Sequence, residues 1–187
     1  MEIVLREAHN PLDLLDLVEA QELDVTFCSG VDLVGDRPFA SRVVLEDPFV
    51  LLAPVTPPWT DRPSVTLDEI ATHPLIGNRN PSCYTETLRS FGDRHPSFVF
   101  HSDDNTTVQS CVAAGPGVAL TPMLTIDVDD PTTTIVPVTT PLAPRLIAIA
   151  WLAGRRPSAL LDAFVDAAGE VCRGIAEGWA AEVGPVA

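Results

Sequence analysis

The sequence contains no lysine, a single tyrosine and two methionines. Its basic side chains are eleven arginines set against 26 aspartates and glutamates, which leaves a formal net charge of −15 at pH 7. A surface that acidic repels phosphate backbones, and nothing in the chain reads as a recognition helix with a basic face, so this polypeptide is not expected to bind nucleic acid by itself. No run approaches the roughly 18 to 20 consecutive apolar residues that cross a bilayer. The opening MEIVLREAHNP lacks the basic stretch and apolar core of a secretory leader. We therefore expect a cytoplasmic chain with no membrane partner. The four cysteines, at positions 28, 83, 111 and 172, form no CxxC pair and have no histidine at metal-ligand spacing. Reduced thiols are expected, with no metal and no cofactor.

What is present is periodicity. Hydrophobic residues make up 46% of the chain, and they alternate between strand-like and helix-like spacing, which gives an α/β fold. Ile3-Val4-Leu5 reads as a strand, and Asn10-Pro11 as a cap followed by proline at the first helical position. Leu14, Leu15 and Val18 share one face of that helix. Leu23 to Cys28, Ser41 to Glu46 and Phe49 to Ala53 read as strands. The prolines at 54, 57, 58 and 63 mark a connection. Thr66 caps a short helix, Leu75-Ile76-Gly77 is a brief strand, and a helix follows over Pro81 to Phe91. Asp127 to Pro131 is an acidic turn, Thr132 to Val138 a β-branched run and Pro141 to Pro144 a second connection. Leu146 to Leu152 is apolar throughout, as a buried central strand would be. Ser158 caps a final helix whose Leu161, Phe164, Val165, Ala168, Val171, Cys172 and Ile175 form one continuous face.

The most informative stretch runs from Val99 to Met123, VFHSDDNTTVQSCVAAGPGVALTPM. Phe98, Val99 and Phe100 suit a strand, Ser102 to Asn105 supply capping side chains, and Val108, Cys111 and Val112 recur at helical spacing. Gly115 stands where a helix ends, and Gly117 to Leu120 resumes as a strand before Pro122. This is a βαβ unit whose first loop opens where α/β sheets bind ligands.

Val112 to Pro122, VAAGPGVALTP, resembles a phrase of the effector-binding region of LysR-type transcriptional regulators. Leu12 to Phe27, Leu45 to Pro54, His73 to Gly77 and Leu146 to Phe164 are similar to that family's other elements, in the same order. The resemblance implies a two-lobed periplasmic-binding-protein-like fold of type 2. Residues 1–53 and 145–187 would form a discontinuous first lobe and residues 54–144 the second. The family's usual opening strand and helix of the first lobe, and its helix-turn-helix domain, have no counterpart here. The implied function is capture of a small, carboxylate-bearing effector between the lobes by a homodimer or tetramer, with DNA reached only through a helix-turn-helix domain outside this chain. Pro11 to Val18 and the final helix are candidate dimer contacts. The alternative is a stand-alone small-molecule solute-binding protein.

Candidate ligand residues follow from helix starts and strand ends. Asn80-Pro81 places free amides on Ser82 and Cys83 at a helix N-terminus, which favours anions, and Arg79 stands beside them. Asn105, Thr106 and Thr107 open the second such helix. Cys28 and Ser29 end a strand of the first lobe, where Cys28 is either a ligand contact or buried core. No catalytic residue is expected: His101 with Asp103 or Asp104 near Cys83 is the one arrangement worth naming, and two-lobed binders work by shape and hydrogen bonds. Asp127, Asp129 and Asp130 lack the glycine and terminal glutamate of a calcium loop.

Overall fold

The computed structural model describes residues 4–8, 11–29, 37–79, 81–154 and 159–183. Asn10, Asn80 and Ser158, all assigned capping roles above, lie outside the described residues. The chain divides into two compact units, one of Met1–Glu46 with Leu146–Gly178 and one of Asp47–Arg145 with Trp179–Ala187.

In the first unit, helix α1 (Pro11–Glu19) leads to strand β1 (Thr26–Ser29), and β2 (Phe39–Asp47) and β8 (Arg145–Leu152) complete a sheet of order β1-β8-β2. β1 runs antiparallel to β8, with Thr26 opposite Ala150 and Ser29 opposite Ile147. Strand alternation sorts the side chains. Leu15 of α1 packs with Cys28, Ala148 and Ala150 on one face. Phe27 points to the other, where its ring meets Phe164 of helix α5 (Ala159–Val183) edge-on at 6.2 Å between centroids. Ile3-Val4-Leu5 does not become a strand in its described part. Val4 to Ala8 is irregular and exposed, since β propensity without a neighbouring strand leaves backbone groups to water.

The second unit is built around β3 (Phe49–Pro54), all six residues of which are buried. The sequence reading left this strand with the first lobe. It is instead the central strand between β6 (Ala119–Pro122) and β7 (Thr133–Val136), antiparallel to both. A parallel pair, β4 (Leu75–Asn78) and β5 (Phe98–Ser102), joins β6 through a bridge between Leu75 and Val118. Two backbone bonds close the joint, Ile76 N–H to the Val118 carbonyl at 2.8 Å and Val118 N–H to the Pro74 carbonyl at 3.0 Å. One face of β3 contributes Leu51 to a cluster with Trp59, Phe91, Leu120 and Val136. The other contributes Leu52 to a cluster with Ile76, Val108, Val112 and Ala119. Helices α2 (Leu67–Ile70) and α3 (Pro81–Phe91) serve the first layer, and α4 (Asn105–Ala113) the second. Thr66 and Glu69 form a reciprocal capping box on α2, as its sequence indicates.

The VAAGPGVALTP phrase has two distinct glycines. Gly115 takes φ +87 just past the end of α4, a left-handed conformation that suits glycine. Gly117 serves close approach: a Cβ there would stand 2.5 Å from the Pro74 carbonyl oxygen, against rigid backbone.

The chain crosses between units after Glu46 and after Arg145. At those two points sits a buried ion pair. Asp47 Oδ2 accepts from Arg145 Nε at 3.0 Å and from its terminal nitrogen at 2.5 Å, while Oδ1 accepts from the Leu124 amide at 3.0 Å. Burial pushes the Asp47 carboxyl above its ordinary value, and the Arg145 charge and the Leu124 amide pull against that shift. Removing one partner strands a buried charge. Asp47→Ala is expected to lower unfolding free energy by about 3–5 kcal/mol in urea titrations, and the doubly apolar Asp47→Leu/Arg145→Met to recover most of that loss.

Candidate functional site

β4 and β5 are adjacent and parallel, and the helices that follow them depart to opposite faces of the sheet: Phe91 of α3 packs with Leu75, and Val108 of α4 packs with Ile76. Adjacent parallel strands whose helices leave on opposite faces open a crevice at their carboxyl ends. Two helix N-termini meet there. The backbone ties them together, with Asn78 opposite Ser102 in the register and the Arg79 amide donating to the Ser102 carbonyl at 2.7 Å. The Asn78 side-chain amide donates to Asn105 Oδ1 at 2.7 Å, linking the end of β4 to the first residue of α4.

The α4 terminus is organised by Asp104. Its carboxylate accepts from the Thr107 amide at 2.6 Å, and the Ser102 hydroxyl accepts from the Asp104 amide at 3.1 Å. The Thr107 hydroxyl and amide hold the Asp104 carboxyl below its ordinary value. The cap is therefore Asp104, and Asn105 is the first helical residue. The Thr107 amide is already engaged by the cap, and Thr106 is exposed.

The other candidates fall as follows. Arg79 is exposed beside the end of β4. Ser82 and Cys83 lie in the first turn of α3, and their side chains are outside the described set. Cys28 is 3% exposed among Leu15, Ala148 and Ala150, and burial raises its thiol above the ordinary value. That is the core placement left open by the sequence. Ser29, half-buried, ends β1 in the first unit. Thus the fold brings Arg79 and Asn105 to one crevice, adds Asn78, and keeps Cys28 in the core of the other unit.

A shallow concavity of about 110 Å³ lies along α4, lined by Asn105, Thr106, Gln109, Ser110, Thr125 and two acids of the following turn, Asp127 and Asp130. Its floor is Gln109, which is 5% exposed. The amide donates to the Asp127 carbonyl and to Thr133 Oγ1, both at 2.8 Å, and accepts from the Asp127 amide at 2.9 Å. Neither Asn78 nor Gln109 was anticipated. Asn78 had a signal, a polar residue closing an apolar strand; Gln109 had none, since one glutamine on a short helix reads as surface.

No cluster of three or more histidine, cysteine, aspartate or glutamate side chains suited to a metal exists among the described residues. The family model of the LysR substrate binding domain matches residues 1–173. The chain belongs to this family. The LysR domain is similar to the HTH-type transcriptional regulator TtuA of Agrobacterium vitis, at 31% identity over 117 residues, covering 60% of this chain and 38% of that protein. Among solved structures it resembles HinK, a LysR family transcriptional regulator from Pseudomonas aeruginosa, with a TM-score of 0.80 at 20% identity, covering 89% of this chain and 59% of that one. It also resembles the effector-binding domain of QuiR in complex with shikimate, with a TM-score of 0.72 at 16% identity, covering 88% of this chain and 79% of that one. The fold is the α/β, periplasmic-binding-protein-like type 2 fold of LysR substrate-binding domains, as the resemblance implied, and the family is regulatory rather than catalytic. The match spans little over a third of the length of TtuA and less than two thirds of that of HinK.

Two outcomes test the local structure. With its folded value depressed, Asp104 contributes fully above its unfolded value near pH 4, and that contribution is lost as pH falls through the folded value. Asp104→Asn keeps an acceptor without the titration, so the acid limb of a thermal-stability profile should become shallower. Gln109→Leu strands the Asp127 amide and should cost on the order of 1–3 kcal/mol in denaturant unfolding.

Proposed function

We propose that this LysR domain binds a small carboxylate-bearing effector at the carboxyl ends of β4 and β5, and that binding there regulates transcription in a protein that carries its helix-turn-helix domain outside this chain. The observation that carries the reading is the convergence of the α3 and α4 N-termini at one crevice. The first amides of a helix lack intrahelical acceptors and carry partial positive charge, so two such ends favour an anion. Asn105 and Thr106 supply amides and side chains, Ser82 and Cys83 the amides of the first α3 turn, and Arg79 the counter-charge. Asp104 already engages the Thr107 amide, which leaves Thr107 a structural part, and Cys28 drops out because it is buried. The shikimate held by QuiR is itself a carboxylate, which supports the ligand class.

The regulator works as a homodimer or tetramer in the cytoplasm on this reading. Its two lobes part after Glu46 and after Arg145, so that residues 47–53 go with the middle of the chain rather than with its ends. Among the described residues no helix is long and apolar enough to cross a membrane.

Calorimetric titration of a panel of small carboxylates, beginning with shikimate, against their methyl esters tests the proposal. We expect a carboxylate to bind in preference to its ester, with Arg79→Ala and Thr106→Val each weakening it about tenfold, the loss of one charge-assisted contact. Equal binding of acid and ester, or binding untouched by both substitutions, overturns it.

A further inference from the structure

The concavity along α4 has ends of opposite polarity. At one end Asn105 and Thr106 open the helix, where the first amides favour a carboxylate. At the other stand Asp127 and Asp130. Each acid commits one oxygen to its own turn: Asp127 Oδ1 accepts from the Asp129 amide at 3.1 Å, and Asp130 Oδ1 from the Thr132 amide at 2.8 Å and hydroxyl at 2.6 Å. All of these donors are neutral. The Thr132 hydroxyl and amide hold the Asp130 carboxyl below its ordinary value, so it is charged at neutral pH.

Among the described residues no arginine pairs with either acid. Arg37, Arg42, Arg62, Arg94 and Arg145 are each engaged by other carboxylates. The concavity thus presents two carboxylates whose counter-charge must come from outside, and the surrounding donor set decides its kind. Calcium takes roughly six to eight oxygens, and the described residues offer no group of three or more metal-binding side chains. A primary ammonium asks for less, since the second oxygen of each carboxylate and the exposed Ser110 hydroxyl on the same wall can accept its N–H groups. At about 110 Å³ the concavity has several times the room that one water needs, about 10–15 Å³, and admits a polar head group. Net charge points the same way. A chain at −15 repels a simple anion arriving from solution, whereas a molecule that carries both signs has no net charge to be repelled.

We infer that the effector is a zwitterion of amino-acid type, with its carboxylate at the helix ends and its ammonium at Asp127 and Asp130. This inference rests on the carboxylate reading above and adds the ligand's second charge.

The test titrates the whole chain calorimetrically with proteinogenic amino acids, each set against the 2-hydroxy acid of the same side chain. That pairing exchanges the ammonium for a hydroxyl and keeps the carboxylate. At least one amino acid should bind saturably and at least about tenfold more tightly than its hydroxy acid. Asp127→Asn/Asp130→Asn should erase the preference, weakening the amino acid about tenfold while leaving the hydroxy acid unchanged or tighter, a divergence that misfolding cannot produce. The single Asp127→Asn, which leaves the Thr132 brace intact, should move the ratio in the same direction. A hydroxy acid that binds as tightly as its amino acid, or a preference that survives both variants, overturns the inference and leaves the carboxylate reading standing. Amino-acid methyl esters that bind as tightly as the free amino acids overturn both, because the ammonium alone would then carry binding. If no amino acid binds, the inference fails, and the acid and ester panel described above decides the carboxylate reading separately.

Discussion

The two places where the chain passes between its units are pinned to one another by a buried ion pair. Asp47 ends β2 and Arg145 begins β8, and the carboxylate also takes the Leu124 amide from the turn that follows β6. Three segments far apart in sequence are thereby fixed to a single side chain with no exposure. A desolvated pair of this kind contributes little net stability compared with apolar packing, yet it tolerates few geometries. Its contribution is to register: the start of β3, the start of β8 and the Met123–Thr125 turn are held in the one arrangement that brings Arg145 and the Leu124 amide together on the Asp47 carboxylate.

Much of this was readable in the sequence where one physical rule acted alone. FVLLAP is apolar at every position because both faces of β3 are covered, and the VAAGPGVALTP phrase encodes a helix stop and a close backbone contact that glycine permits. Thr66 with Glu69 declares a helix start. The reading failed where the outcome rests on a distant neighbour. Val4 and Leu5 have strand propensity, but no described strand pairs with them. β3 belongs with the second unit because β6 and β7 hydrogen-bond to it, which its own residues do not reveal.

The site divides in the same way. The helix starts near Arg79 and Asn105 were legible because caps are local. What sequence could not supply was that β4 and β5 are neighbours whose helices leave on opposite faces, the relation that turns two separate helix ends into one crevice. Capping was assigned to a group of residues, Ser102 to Asn105, and hydrogen-bond geometry divides the work among them: Asp104 caps, Ser102 braces the cap and Asn105 links to Asn78.

At Gly117 the two strand pairings of the second unit meet by close backbone approach. β3 is held along its length by β6 on one side and β7 on the other, whereas the β4–β5 pair meets β6 through one bridge closed by the Pro74, Ile76 and Val118 backbone groups. Side chains supply the rest of the attachment: Leu75 packs with Leu51 and Leu120 on one face, and Ile76 with Leu52 and Ala119 on the other. The crevice formed by the ends of β4 and β5 is therefore positioned by packing on both faces of β4 more than by strand pairing.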